Sequence, residues 1–252
     1  MKTNMKRALR VCLALGLGLT SACVRVDVSV TPQNASAHRS HPDSSWISLA
    51  EIKDLHQKRL AGNKCPSSRS LFINREKQES KAWCWAASTR VVMDFYNKDQ
   101  SKETDLQCNI VTKTLHLSQD KSKCCAGNIP AQCVQGGWPH WVFHSFQFDY
   151  KTVRGALDDW DAVAGEICST GPFISVIDWS GGGAHAIVVT GYSADDKDAT
   201  KIVTTYDPFI DDFQDISLEE FIGDSSAGSD AFYGFSHNRH YVQILPKPAD
   251  RP

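Results

Sequence analysis

The sequence lacks any apolar run long enough to cross a membrane. Its longest run extends only from Val11 to Leu19, well short of the roughly 20 residues that a transmembrane helix needs. It also lacks a basic run, since 27 Lys and Arg face 29 Asp and Glu. A mildly acidic chain is poorly suited to gripping phosphate backbones, which argues against nucleic acid as a partner.

Cysteine pairs with zinc-site spacing are also missing. None of the nine cysteines forms a C-x-x-C pair, although a cluster of four leaves a metal site as an alternative. Without Cys12, Cys23 and Cys84, six cysteines remain, which is enough for three disulfides in an exported protein. The six are Cys65, Cys108, Cys124, Cys125, Cys133 and Cys168. The sequence alone leaves their pairing open.

The N-terminus has the features of an export signal. Four basic residues precede the apolar run, and Thr-Ser-Ala-Cys23 follows it, which is typical of a signal peptide over residues 1–22. Small residues leading into Cys23 resemble the lipobox of bacterial lipoproteins, in which the cysteine is lipidated, although Thr20 replaces the usual leucine. Ordinary cleavage before Cys23 is the alternative. Both interpretations place the mature chain outside the cytosol, anchored to the cell envelope by a lipid or secreted.

Two segments separate this signal from the main domain. Residues 23–45 are polar with almost nothing large to bury, as expected of a flexible tether. Within residues 46–64, apolar side chains at helical spacing predict an amphipathic helix over 47–61. A helix packed on the domain and a short inhibitory prosegment would both give this pattern. Residues 65–252 are long enough for one domain with a sizeable core.

Cys84 is the candidate nucleophile. The spacing of Val91, Val92, Phe95 and Tyr96 predicts that Cys84 opens a buried helix. Unpaired N–H groups and the positive end of the helix dipole gather at a helix N-terminus and stabilise a thiolate. A cysteine in that place is therefore a better nucleophile at neutral pH.

His185 is the candidate base among nine histidines. Residues 173–179 predict a strand, residues 180–183 a flexible turn, and residues 184–192 a second, buried strand that His185 begins. A thiolate needs such a neighbour to take its proton and return it to the leaving group.

Asp207 is the candidate third member, because it follows the predicted strand over residues 201–206. A carboxylate on an adjacent strand can accept the second ring N–H of the histidine and fix its tautomer. Asp178, Asp211 and Asp212 are competing carboxylates, for which solvated turn positions are the simpler interpretation.

These residues resemble the site of papain-like cysteine peptidases. Gln78 stands six residues before Cys84 and Trp85 directly after it, as do the oxyanion glutamine and the aromatic neighbour of that family. The run Gly-Gly-Gly-Ala-His-Ala-Ile-Val-Val-Thr-Gly-Tyr around His185 is similar to the histidine strand of papain-like and bacteriocin-leader peptidases. Lys-Ala-Trp before Cys84 and Asp207-Pro after a strand resemble the short bacterial branch, which includes staphopain-like peptidases.

The resemblance covers about residues 70–215 and implies an α+β, two-lobed papain-like fold. In this fold a helical lobe carries the nucleophile helix, which packs on an antiparallel sheet. The implied activity is a cysteine endopeptidase that acts on protein or peptide substrates with no metal or organic cofactor. The residues implied in catalysis are Cys84, His185, Asp207 and Gln78, and those expected near the substrate are Trp85, Trp179 and Gly183.

Three other functions share this pattern of residues. A peptidoglycan peptide amidase and a transpeptidase or acyltransferase would use the same thiol chemistry, and a catalytically silent binding lipoprotein would keep only the fold. The other aromatic and histidine residues are expected to pack in the core rather than form a site. They are Trp138, Trp141, His140, His144, His237 and His240.

Overall fold

The computed structural model of the chain describes residues 9–11, 24–26, 45–96, 106–117, 124–179, 183–194, 200–223 and 235–247. The chain divides into two units, Met1–Arg39 and Ser40–Pro252. In the first, the described residues form two short antiparallel strands, β1 (Leu9–Val11) and β2 (Val24–Val26). Most of the predicted signal peptide and tether, Cys23 included, lies outside the described residues. None of the helices described has the length and apolar character needed to cross a bilayer.

The described part of the second unit contains six α-helices, a short 3₁₀ helix (Ala131–Cys133) and seven strands. The α-helices are α1 (Leu49–Leu60), α2 (Cys84–Tyr96), α3 (Gln107–Thr114), α4 (Pro139–Ser145), α5 (Trp160–Ser169) and α6 (Leu218–Ile222). The strands are β3 (Ser68–Ser70), β4 (Phe148–Arg154), β5 (Phe173–Trp179), β6 (Ala184–Ala194), β7 (Lys201–Asp207), β8 (Asp212–Ser217) and β9 (Phe235–Pro246).

The seven strands form one antiparallel sheet. Their order is β4-β9-β5-β6-β7-β8, and β3 pairs with the second half of β6. Successive side chains along a strand point to opposite faces, so each strand contributes to two cores. One core joins α2, α3 and α4 to sheet residues that include Val176, Ala186 and Tyr206. The other joins α1, α5 and α6 to the opposite face.

The predicted α+β class is confirmed, and so is the nucleophile helix packed on an antiparallel sheet. Helix α2 begins at Cys84, as the apolar spacing indicated. Most of its side chains are buried, because Ala86, Ala87 and Ser88 let the helix approach the sheet closely.

Three disulfides connect the six predicted cysteines. They join Cys65 to Cys168, Cys108 to Cys125, and Cys124 to Cys133. The four clustered cysteines for which a metal site was the alternative are thus paired with one another. Cys84 is the one free cysteine in the described part of the chain.

A buried polar network fixes α1 to the domain. His56 Nε2 lies 2.7 Å from Glu166 Oε2, and Gln243 donates to the same carboxylate from its backbone N and from Nε2, each at 2.6 Å. Glu166 is fully buried. Gly165 allows this approach, because a Cβ there would lie 2.4 Å from His56 Nδ1. Helix α1 therefore packs against α5, on the sheet face opposite α2.

We expect His56→Ala to lower the free energy of unfolding by roughly 3 kcal/mol, since it leaves the buried carboxylate of Glu166 with fewer partners. Urea unfolding measures this change. The matched control is Lys58→Ala, which breaks only the exposed pair with Asp54 and should leave stability unchanged. Equal stability of His56→Ala and the parent protein would contradict a structural role for the network.

Candidate active site

The N-terminus of α2 is held over the start of β6. Ser88, one helical turn after Cys84, donates its hydroxyl to the carbonyl of Ala186 at 2.9 Å. Ala186 is the chain neighbour of His185, the second residue of β6. One hydrogen bond therefore sets the helix that carries the thiol against the strand that carries the imidazole.

His185 and Asp207 form a close pair at the ends of neighbouring strands. His185 Nε2 lies 2.7 Å from Asp207 Oδ1, and that oxygen also accepts the backbone N–H of Phe209 at 2.7 Å. Burial of Asp207 acts to raise its pKa, but these hydrogen bonds outweigh it and hold the pKa below its ordinary value. Asp207 is therefore an ionised acceptor at neutral pH.

The protonated form of His185 is stabilised from two sides. Burial of the ring acts to lower its pKa, but hydrogen bonds to Asp207 and to Cys84 raise the pKa to about 9. With Nε2 engaged by Asp207, Nδ1 is the ring nitrogen that serves Cys84. At neutral pH the site thus places an imidazolium beside the sulfur of Cys84.

Gln78 reaches the same site from the segment before α2. Its backbone N–H donates to the carbonyl of Pro208 at 2.9 Å, and its Nε2 donates to the carbonyl of Ser80 at 2.8 Å. The Ser80 bond uses one of the two Nε2 hydrogens and fixes the amide plane. The second hydrogen of the amide is the one that can serve a reacting oxygen.

Gln107 on α3 holds the backbone on both sides of Gln78. Its Nε2 donates to the carbonyl of Lys77 at 2.7 Å and to Glu76 Oε1 at 2.9 Å, while its Oε1 accepts the N–H of Glu79 at 3.0 Å. The Gln107 side chain is fully buried. Sequence reasoning missed this residue, because no motif marks a glutamine that acts through contacts about 30 positions away.

Tyr206 ties this segment to the turn that follows Asp207. Its hydroxyl accepts the N–H of Glu76 at 2.8 Å and donates to Asp211 Oδ1 at 2.9 Å. Arg75 also bonds to Asp211. The oxyanion candidate and the third triad candidate are therefore parts of one hydrogen-bonded frame.

All four predicted catalytic residues line one cavity of about 520 Å³. They are Gln78, Cys84, His185 and Asp207. Apolar side chains form much of its remaining wall, and they are Ile177, Ile187, Phe209 and Ile216. Lys81, Gln214, Glu220 and His237 add polar groups to the lining. This apolar wall was not predicted from the sequence. The one available signal was Phe209, a bulky residue directly after Asp207-Pro208.

Phe209 lies next to His185, the candidate base. Its ring meets the imidazole of His185 edge to face, with the centroids 6.4 Å apart, and it is 58% exposed. An exposed phenylalanine at the rim of a cavity is available for contact with an apolar group of a ligand.

The three residues predicted near the substrate have different surroundings. Trp85 is 1% exposed, donates its indole N–H to the carbonyl of Gln135, and does not line the cavity, so the geometry gives its substrate role no support. Trp179 ends β5, and its side chain is outside the described residues. Gly183 has a φ of +98°, which favours glycine, and no atom lies within 4 Å of a Cβ there.

The competing carboxylates have other partners. Asp178 accepts from Asn238, Asp211 accepts from Tyr206, and Asp212 accepts the N–H of Phe213. The packing expected for His140, His237 and His240 is observed, since all three are buried, whereas His144 is exposed and does not pack in the core as expected. His237 nevertheless borders the cavity, with Nδ1 2.7 Å from the hydroxyl of Ser175.

Comparison with known proteins gives the family. The Peptidase_C39 like family matches residues 70–224, which include all four predicted catalytic residues. No curated protein matches the chain. Among solved structures, the chain is similar to digestive procathepsin L 3 of the Tenebrio molitor larval midgut, with 12% identity, 76% of this chain and 78% of that chain covered, and a TM-score of 0.44. The family match confirms the relation to papain-like peptidases, and the chain belongs to the Peptidase_C39 like family of cysteine peptidases.

Proposed function

We propose that the protein is a papain-like cysteine endopeptidase of the bacterial cell envelope. In this proposal Cys84, His185 and Asp207 form the triad and Gln78 completes the oxyanion hole. The observation that carries it is the free thiol at the start of α2 beside His185, whose other ring nitrogen lies 2.7 Å from Asp207.

The geometry supports hydrolysis in two stages. The thiolate of Cys84 attacks the carbonyl carbon of the substrate amide, while the Nε2–H of Gln78 and the backbone N–H of Cys84 stabilise the oxygen that becomes negative. His185 donates its Nδ1 proton to the leaving amine, and the acyl group stays on sulfur. His185 then takes a proton from water, whose oxygen attacks the thioester and releases the acid and Cys84.

Asp207 serves this cycle through His185 alone. Its carboxylate accepts the Nε2–H, so the ring keeps Nδ1 toward sulfur and the imidazolium is stabilised. The remaining wall of the cavity supplies apolar contacts for the substrate, among them Phe209.

We expect irreversible thiol alkylation of the mature protein to label Cys84 selectively, because the neighbouring imidazolium favours its thiolate. Mass spectrometry of labelled peptides measures the rate, and digestion of a denatured protein measures activity. Cys84→Ala and His185→Ala should lose cleavage, and His185→Ala should also label more slowly. Gln78→Ala should keep its labelling rate but lose about 10² to 10³ in kcat, since it removes an oxyanion donor.

The matched control is His144→Ala, which removes an exposed histidine of α4 and should change neither readout. An unreactive Cys84 in folded protein would contradict the catalytic assignment. Cleavage of purified peptidoglycan peptides without cleavage of denatured protein would contradict the endopeptidase assignment and favour an amidase.

The pH profile tests the role of Asp207. The imidazolium of His185 dominates below about pH 9 and is lost as the pH rises through that value, so kcat/KM should fall with a midpoint near pH 9. Asp207→Asn removes the negative charge that helps to raise the pKa of His185, so the alkaline midpoint should move to lower pH. Asp178→Asn, whose carboxylate contacts Asn238 instead, should leave it in place. An unchanged midpoint in Asp207→Asn would exclude the proposed role.

Export with lipid attachment at Cys23 is the remaining part of the proposal. It is supported by the basic start, the short apolar run and the small residues before Cys23. We expect the intact mass of the protein from a bacterial host to correspond to residues 23–252 plus a lipid, and the protein to fractionate with membranes. Cys23→Ser should be released in soluble form. An unmodified N-terminus at Cys23 would contradict lipidation while keeping export.

A further inference from the structure

Two arginines face each other on neighbouring strands of the sheet. Arg154, the last residue of β4, is the Cα partner of Arg239 on β9. No ion pair joins either guanidinium to a carboxylate in the described ranges. Like charges directly opposite each other destabilise a sheet, and an anion bound between them would remove that repulsion.

Two tryptophans hold these guanidinium groups. The guanidinium carbon of Arg154 lies 3.4 Å from the ring centre of Trp46, and that of Arg239 lies 5.6 Å from the same ring and 4.2 Å from that of Trp138. An aromatic face contacts the flat side of a guanidinium, whereas the N–H donors lie in its plane. Stacking therefore orders both groups and leaves donors at their edges for an oxyanion.

The strand register places the arginine pair in line with the nucleophile helix. Ala186, which accepts the hydroxyl of Ser88, pairs with Val176, Val176 pairs with Arg239, and Arg239 pairs with Arg154. These four residues form one row across the sheet on the face that α2 covers. At about 4.8 Å per strand, the arginine backbones lie roughly 10 and 14 Å along this row from Ala186.

The polypeptide between the nucleophile and the arginines forms a continuous chain of contacts. Trp85 follows Cys84, and the backbone of Gly137 lies directly on the Trp85 ring, since a Cβ there would come within 2.5 Å of it. Trp138 comes next and stacks on Arg239. Gly136 is exposed, with nothing within 4 Å of a Cβ position, so the surface beside this path is open.

From this arrangement we infer that Arg154 and Arg239 form a subsite for a carboxylate of the peptide substrate. The arginines do not line the cavity that contains Cys84, so the carboxylate would belong to a residue several positions from the cleaved bond. An Asp or Glu side chain and a free C-terminus both supply this group. The inference rests on the proposed peptidase function and adds a substrate class to it.

The test compares paired fluorogenic peptides that differ only by Glu or Gln at one position, scanned along both sides of the cleaved bond. A second pair carries a free or an amidated C-terminus. We expect the parent enzyme to cleave one acidic member with about tenfold higher kcat/KM, as befits a charged hydrogen-bonded pair. The preference should weaken with added salt, because the site is partly exposed.

The variants are Arg154→Gln and Arg239→Gln, in which the acidic preference should fall toward equal rates while alkylation of Cys84 stays unchanged. Lys201→Gln is the matched control. It removes a cation 5.8 Å from the ring centre of Trp160, at the start of β7 and far along that strand from Asp207, and should keep the preference.

Equal cleavage of both members of every pair by the active parent enzyme would overturn the subsite and leave the peptidase function intact, without need of any variant. Failure to cleave any peptide would overturn both. An unchanged preference in Arg239→Gln, with loss of binding to phosphatidylglycerol vesicles, would assign the arginines to a membrane surface and also overturn the subsite.

Discussion

The candidate site depends on the docking of one helix terminus against one strand terminus. Cys84 comes from α2, which covers one face of the sheet, whereas alternation along β6 directs His185 toward the opposite face, together with Ile187. Groups from opposite faces of a sheet can meet only where its strands end. The histidine therefore has to lie within the first residues of its strand. The hydrogen bond from Ser88 to Ala186 fixes this meeting point, because it lies one turn from the thiol and one residue from the imidazole.

The oxyanion candidate depends on a second set of contacts that are remote in sequence. Gln78 lies on an irregular segment whose backbone is held by Gln107 from α3 and by Tyr206 from β7. Helix α3 is itself tied to the following loop by the disulfide between Cys108 and Cys125. An amide that stabilises a transition state has to be held before the reaction begins. These bonds supply that rigidity where no helix or strand does.

Local patterns in the sequence predicted the start of α2, the strand that carries His185, and Asp207 at the end of the next strand. These positions depend on helical and strand periodicity, which can be recognised in a short stretch of sequence. Trp85 is buried and Cys84 lines the cavity, because successive helical residues are about 100° apart and point in different directions. A thiol at the mouth of the cleft therefore directs its neighbour into the core. Gln107 and the arginine pair could not be predicted, because their contacts join residues that are far apart in the sequence.

The position of the site at the ends of β6 and β7 also gives it two kinds of surroundings, one on each face of the sheet. On the face of α6 the cavity wall includes the apolar side chains of Ile177, Ile187 and Ile216. On the face of α2 the row through Ala186 leads to Arg239. A substrate peptide that passes the strand ends at Cys84 would meet apolar side chains on one side of the reacting bond and positive charge on the other. Catalysis needs only the groups at the strand ends and at the start of α2. Selectivity for one substrate over another would come from the difference between the two faces of the sheet.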